Sequence, residues 1–400
     1  MIFLKPTDCF NKNLKFWKLL GIYPFKVNWK FYEIYSIIFV FLFIFLYDGL
    51  ITITFFYLPR DLDHFVDEMI FYFTVLAVMS KVVTYMLAKE KMCKIFEILD
   101  SETFQPESKK GLQIITKAKK FNVKYWKIVA SVSYYSNLVH ILTPFIAHIF
   151  SSVPLLLNLS NYSFLSDDFI EKYIYPIYFY QGIGMHINML YNLNIDTFFL
   201  GLMVFAIAQL ELLEDKLITI TDESNAKTHE HKLNSTKSAT DDTILITKLN
   251  KAIIHYYCVD KFCSLIEQVF SVTLFVQFSM ASCIICVCLF RFTLPATAEY
   301  YMFLASYISI MIVQIMVPCW FGTRIMDKSS LLSQAIYTCD WTARSRRFKS
   351  SLKLFVERAN RPLSITGWKM FPLSLNTFTS IMNSAYSFFT LLRHMQSREI

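Results

Sequence analysis

The chain has 400 residues, a formal charge of +8, 55% hydrophobic and 17% aromatic residues, and only 18% charged residues. A water-soluble domain carries about 25% charged residues, so this composition excludes an ordinary soluble fold and places the chain in the membrane class. Eight glycines against 39 Phe and 23 Tyr also exclude Gly-mediated helix crossings as the main packing device, leaving bulky rings to fill the space between helices.

The chain opens MIFLKPTDCF and stays lysine-rich to Lys30. It has no short apolar core followed by a small-residue cleavage site, so the first span is expected to act as an uncleaved insertion signal. Hydropathy predicts an all-α membrane protein with seven transmembrane helices, near 33–58, 69–88, 128–150, 174–208, 264–290, 299–320 and 371–392. In the second, Lys81 is expected to snorkel to the near interface. The fourth is interrupted by Gln181, His186, Asn188, Asn192, Asn194 and Asp196, and its lone histidine reads as a packed polar group. In the fifth, Cys283, Cys286 and Cys288 include a CxxC spacing, which inside an apolar helix reads as packing and not as a metal site.

Of the 39 Lys and Arg, 33 fall on one side of these spans and 5 on the other. The positive-inside rule therefore puts the N-terminus in the cytoplasm and, after seven crossings, the C-terminus outside. That orientation is the reverse of a G-protein-coupled receptor. None of the nine cysteines falls in an outer connection, and the outer loop carries two glycosylation sequons, at Asn158 and Asn161.

On the cytoplasmic side the fifth and sixth helices continue past the bilayer through 245–263 and 321–337. With 338–365 these stems are expected to pack as an intracellular anchor that holds subunits together. Residues 221–243 read as a polar linker, and His229-Glu230-His231 within it as solvated side chains and not a metal site. The basic run Arg344 to Lys353 reads as a cytoplasmic surface obeying the charge bias. No His-Glu-x-x-His, phosphate-cradling glycine loop or nucleophile elbow occurs, so no enzyme, metal or cofactor is expected, and no nucleic-acid partner.

The last span, Met370 to Leu392, is uncharged, yet Ser374, Thr377, Ser380, Asn383 or Ser384, and Ser387 recur at spacings of three and four. A hydroxyl and amide stripe costs free energy in hydrocarbon unless it meets protein or water. It is therefore either a helix-packing seam or the wall of a hydrated path.

The C-terminal stretch resembles the signature region of insect odorant receptors. The matching residues are Tyr337, Trp341, Leu352, Arg358, Pro362, Gly367, Phe371, Leu375, Phe378, Ser384, Tyr386, Phe388, Leu391 and Leu392. Thr377-Phe378 without a later Gln-Phe fits this family better than the related gustatory receptors. The short 211–251 connection resembles a variable, ligand-recognising subunit and not the longer co-receptor.

The resemblance implies a ligand-gated, non-selective cation channel in the plasma membrane of sensory dendrites, a heterotetramer with co-receptor subunits, opened by a hydrophobic volatile. Ser374, Thr377, Ser380, Asn383, Ser384 and Ser387 would then line the pore on a last helix spanning 370–393, after an anchor at 321–369. The implied pocket lies in the outer half of the first six helices, 33–320. Its candidates are Phe71, Tyr72 and Val75 on the second helix, and Tyr134, Tyr135, Leu138 and Ile141 on the third. The fourth offers Tyr178, Gln181, Gly182 and Met185, and the sixth Tyr300, Tyr301 and Leu304. The alternatives are a gustatory-type channel, or a seven-helix transporter or metabotropic receptor. Internal repeats or paired broken helices, common in transporters, are not visible.

Overall fold

A computed structural model describes residues 5–57, 62–151, 154–155, 157, 162–220, 237–338, 341–342 and 344–399. The sequons at Asn158 and Asn161, and His229-Glu230-His231, lie outside the described residues.

The elements in chain order are α1 (Asn11–Leu19), α2 (Tyr32–Tyr57), α3 (Leu62–Leu87), α4 (Lys89–Leu99), α5 (Lys109–Ser151), α6 (Asp167–Lys172), α7 (Ile174–Ile218), α8 (Lys237–Arg291), α9 (Ala298–Thr338), α10 (Arg346–Ala359) and α11 (Leu375–Glu399). A two-residue antiparallel pair, β1 (Thr366–Gly367) and β2 (Phe371–Pro372), stands immediately before α11. Each predicted span overlaps one of α2, α3, α5, α7, α8, α9 and α11, but the last was placed too early: residues 371–372 form β2, and α11 begins only at Leu375. Five of these are long and apolar enough to cross a bilayer on their own composition; α5 and α11 are not among the five. In α11 the hydroxyl stripe accounts for the lowered hydropathy.

Helix α7 is the axis of the bundle. It packs on α5, α9, α8 and α3, and from Leu190 to Leu213 nearly every side chain is buried. That position explains how a hydrophobic span carries so many polar groups, since each one finds a partner where hydrocarbon would leave it unpaired. His186 Nδ1 lies 2.8 Å from Asn137 Oδ1. Asn188 Nδ2 donates to the Phe43 carbonyl at 3.1 Å. Asn194 Oδ1 accepts from Trp126 Nε1 at 3.2 Å, while its carbonyl accepts from Asn13 at 2.9 Å.

Lys81 departs from expectation. It does not snorkel: it is 1% exposed, and Nζ donates to Asn192 Oδ1 and Asp196 Oδ1, both at 2.6 Å. Gln314 Nε2 donates to the other oxygen of Asp196 at 2.9 Å. The nearby carboxylate on α7 offers the ammonium a charge partner that a long climb to the interface would forfeit, and the cluster ties α3, α7 and α9 together.

Outside the predicted spans, the stems of α8 and α9 pack with α10 as one unit. Phe348, Leu352, Phe355 and Ala359 recur at helical spacing and form the buried face of α10. Ser345 caps its first turn, accepting from the Phe348 amide at 3.4 Å. Tyr256 of α8 meets Phe355 edge-on at 5.4 Å, Arg358 pairs with Asp260 at 3.0 Å, and the buried Ser329 hydroxyl accepts from the Leu363 amide at 2.7 Å. At the N-terminus, Cys9 packs beside Asn122 and Lys119, where burial pushes its thiol up to about 12.

Candidate functional site

Two arrangements are candidates for a functional site: an aromatic cluster in the half of the bundle away from the α10 unit, and the exposed face of α11.

The cluster is built from α3, α5 and α9. Phe71 stacks on Phe303 at 6.3 Å between centroids and lies 6.0 Å from His140 and 6.4 Å from Tyr307. Phe303 in turn meets His140, Tyr300 and Tyr307 within 6.2 Å. The Thr74 and Tyr307 hydroxyls are 2.5 Å apart, the polar contact inside this group of rings. Beside it, Tyr134 lies 5.5 Å from the His186 ring, joining α5 to α7. The result is a mostly apolar group of rings with a few oriented polar groups, the composition of small-molecule sites.

Of the residues expected from sequence, Phe71, Tyr134 and Tyr300 belong to this cluster. Met185 is half-buried on the same outer stretch of α7 as His186. Tyr72 and Val75 sit on the α2 side of α3, where Val75 packs with Tyr47 and Ile51. Tyr178 is buried against Phe145 and donates to the Ile141 carbonyl, so Ile141 and Tyr178 join α5 to α7. Gln181 and Gly182 are buried in α7, with the Gln181 carbonyl accepting from Tyr47 Oη at 3.1 Å. Leu304 is part of the core. Tyr301 pins the turn between α8 and α9, donating to the Leu294 carbonyl at 2.7 Å and accepting from the Ala296 amide at 3.1 Å. Tyr135 and Leu138 project from the bundle, 72% and 56% exposed. Sequence reasoning passed over Thr74, His140, Phe303 and Tyr307. The available signal was helical spacing, because Phe303 and Tyr307 follow Tyr300 at three and seven residues.

Helix α11 packs on α8 and α9 through Phe378, Ile381, Met382 and the fully buried Ala385. At about 100° per residue, Asn376, Ser380, Asn383, Ser384 and Ser387 point to the opposite side, and all five are exposed. The hydroxyls of Ser380, Ser384 and Ser387 bond their own helix, each donating 2.9 Å to the carbonyl four residues earlier. That satisfies the donors while leaving oxygen lone pairs facing outward. Ser374 and Thr377 stand apart from this stripe. Ser374 is buried and caps the helix, accepting from the Thr377 amide at 3.1 Å, and Thr377 Oγ1 donates to the Pro372 carbonyl at 2.6 Å.

The β1–β2 hairpin sets where α11 begins. Its turn carries positive φ at Trp368 (46°) and Lys369 (57°), and the Met370 amide closes it onto the Gly367 carbonyl at 2.9 Å, the pattern of a type I′ turn. The Trp368 amide donates to Ser271 Oγ at 2.7 Å, and its ring packs edge-on to Phe275 at 5.0 Å. Thr366 donates to Glu267. Leu373 lies so close to Gly322 that a Cβ there would come within 2.3 Å of the Leu373 carbonyl oxygen. The start of the last helix is thus clamped between α8 and α9.

Among the described residues no group of three or more His, Cys, Asp or Glu side chains is placed to hold a metal ion.

Six long helices around a polar-threaded central one, with an outer aromatic cluster, define a polytopic α-helical membrane protein. The chain belongs to the odorant receptor family: the 7tm Odorant receptor family model matches residues 61–386. It is 22% identical to Odorant receptor 67a of Drosophila melanogaster over 98% of this chain and 97% of that one. It is 29% identical to Odorant receptor 10 of Aedes albopictus, a match spanning half of each chain. Its fold is similar to that of the olfactory receptor OR5 from Machilis hrabei in complex with eugenol, with a TM-score of 0.78 at 17% identity, covering 97% of this chain and 98% of that one. Without eugenol the same receptor gives 0.76.

Proposed function

We propose that this chain is the odorant-recognising subunit of a ligand-gated, weakly selective cation channel in the plasma membrane, assembled with co-receptor subunits around one pore. The observation that supports it best is the placement of the α11 stripe diametrically opposite the face that packs on α8 and α9. In lipid such a face is unfavourable; around a shared axis it borders water. The stripe holds no carboxylate, so this chain adds no ring of negative charge for strong selection.

The ligand in this reading is an apolar volatile with one oxygen function, seated among Phe71, Tyr134, His140, Tyr300, Phe303 and Tyr307. Eugenol, bound in the Machilis receptor structure, is likewise small and mostly apolar, although it carries two oxygens, a phenol hydroxyl and a methyl ether. A volatile of about a dozen heavy atoms at roughly 0.5 kcal/mol per atom binds with about 6 kcal/mol, on the order of tens of micromolar. Only the part of that energy differing between closed and open states drives opening. The clamp of α8 and α9 on the β1–β2 hairpin and the start of α11 is the mechanical link in this reading.

The test is whole-cell recording of the chain co-expressed with a co-receptor against a panel of volatiles. Current is expected within milliseconds and without G proteins. Phe303→Ala is expected to shift the half-maximal concentration by about tenfold or more, the scale of a lost buried ring, with little change in maximal current. Asn383→Leu is expected to change unitary conductance with little change in sensitivity. The opposite assignment would show pocket and pore exchanged, and the absence of current to every volatile at confirmed surface expression would overturn the channel reading.

A further inference from the structure

We infer that the lateral cleft between α2 and α3 is a second binding site, separate from the aromatic cluster, for an apolar small molecule carrying a hydrogen-bond donor, an alcohol or phenol. The cleft has a volume of about 340 Å³, with walls that include Phe45, Thr52, Tyr72, Leu76 and Met79.

Asp48 gives the cleft its chemistry. It lines the cleft and is 6% exposed, and both carboxyl oxygens are buried without a hydrogen-bond partner among the described residues. Thr52 does not serve it, because Thr52 Oγ1 donates to the Asp48 main-chain carbonyl at 2.7 Å. A buried acceptor left unpaired is costly, and the cost is recovered by any partner that brings an O–H or N–H. Gly49 keeps the space open. A Cβ built there meets nothing within 4 Å. The wide turn Phe41–Leu46, which ends two residues before this acid, re-phases α2, a distortion that recurs at functional sites.

Depth decides the kind of ligand. Asp48 is nine residues inside the end of α2 at Tyr57, about 14 Å along the axis at 1.5 Å per residue. That is within hydrocarbon, beyond the reach of lipid phosphates and hostile to hydrated cations. A neutral amphiphile that partitions into acyl chains reaches it sideways, since Phe45 and Ile53 at the rim are 46% and 44% exposed. Helix α3 separates this cleft from the aromatic cluster: Phe71 turns to α5 and α9, while Tyr72, about 100° round the helix, turns to α2 and stacks near Phe55 at 4.6 Å.

The test reads binding and needs no current, so it fails or succeeds independently of the channel proposal. Membranes holding the full chain with co-receptor are photolabelled with a diazirine-bearing octanol or its methyl ether, and adducts are mapped by mass spectrometry. The alcohol is expected to label 48–57 and 72–79 saturably, with the ether about tenfold weaker for want of the donor. Gly49→Leu, which grows into open space, is expected to abolish that label while labelling near Phe303 persists. Asp48→Leu is expected to erase the preference for alcohol over ether, and Asp48→Asn, which keeps an acceptor, to restore it. Equal labelling by alcohol and ether, label undiminished in Gly49→Leu, or label spread evenly over the lipid-facing helices would overturn the proposal.

Discussion

Lys81 shows what a charged residue does inside this bundle. Its ammonium, Asn192, Asp196 and Gln314 satisfy one another across three helices. A buried pair of this kind contributes little net stability, yet removing one partner strands the other charge. Lys81→Met is therefore expected to destabilise the folded chain by about 3–5 kcal/mol, read as a lower melting temperature in detergent by fluorescence-detected size exclusion. Adding Asp196→Leu to it should recover much of the loss. A single mutant as stable as the parent would show that water already reaches the cluster. The hairpin turn gives the opposite case. Lys369 holds positive φ without being glycine, a strain of about 1 kcal/mol. Lys369→Gly is expected to raise the melting temperature, and a fall would mean that the lysine side chain makes a contact worth more than the strain.

Among the elements, α7 and α11 contrast. Both carry polar residues through a hydrophobic span, and their helical periods look alike on paper. In α7 those groups face neighbouring helices and are paired one by one. In α11 the stripe faces away from the subunit, and its hydroxyls turn back onto their own carbonyls. The stripe was legible from spacing alone; its direction was not, and neither was the separate duty of Ser374 and Thr377 as caps. Periodicity fixes which residues share a face, but only the neighbours decide whether that face is inside. The same limit explains Tyr135, Leu138, Tyr72 and Val75. Each lies on a helix expected to frame the pocket, and each turns to another surface, because a one-residue step rotates a side chain by about 100°.

At the scale of the molecule, the exposed side of α11 is the surface that a lone subunit covers least well. Tyr386 and Phe388 flank the hydroxyl stripe at 61% and 60% exposure, where the assembly proposed above would bring neighbouring copies. Co-purification with a co-receptor from mild detergent, followed by native mass spectrometry, is expected to give a four-subunit particle. Replacing Tyr386 and Phe388 together by serine should shift it towards smaller species. A stable monomer with unaltered ligand-evoked current would refute the shared axis. In the same proposal, the unit of α10 and the two stems is the other surface that would hold the assembly.

Composition and hydropathy were enough to indicate a seven-helix membrane protein, because burial in lipid acts on each segment separately. The C-terminal signature was enough to indicate the family. The partners of Lys81, the ring cluster of Phe71, His140, Phe303 and Tyr307, the unpaired acid at Asp48 and the outward turn of α11 came only with the tertiary structure. Those features arise where separate helices meet, and a crossing angle or a rotation of one helix about its axis leaves no mark on the sequence of that helix alone.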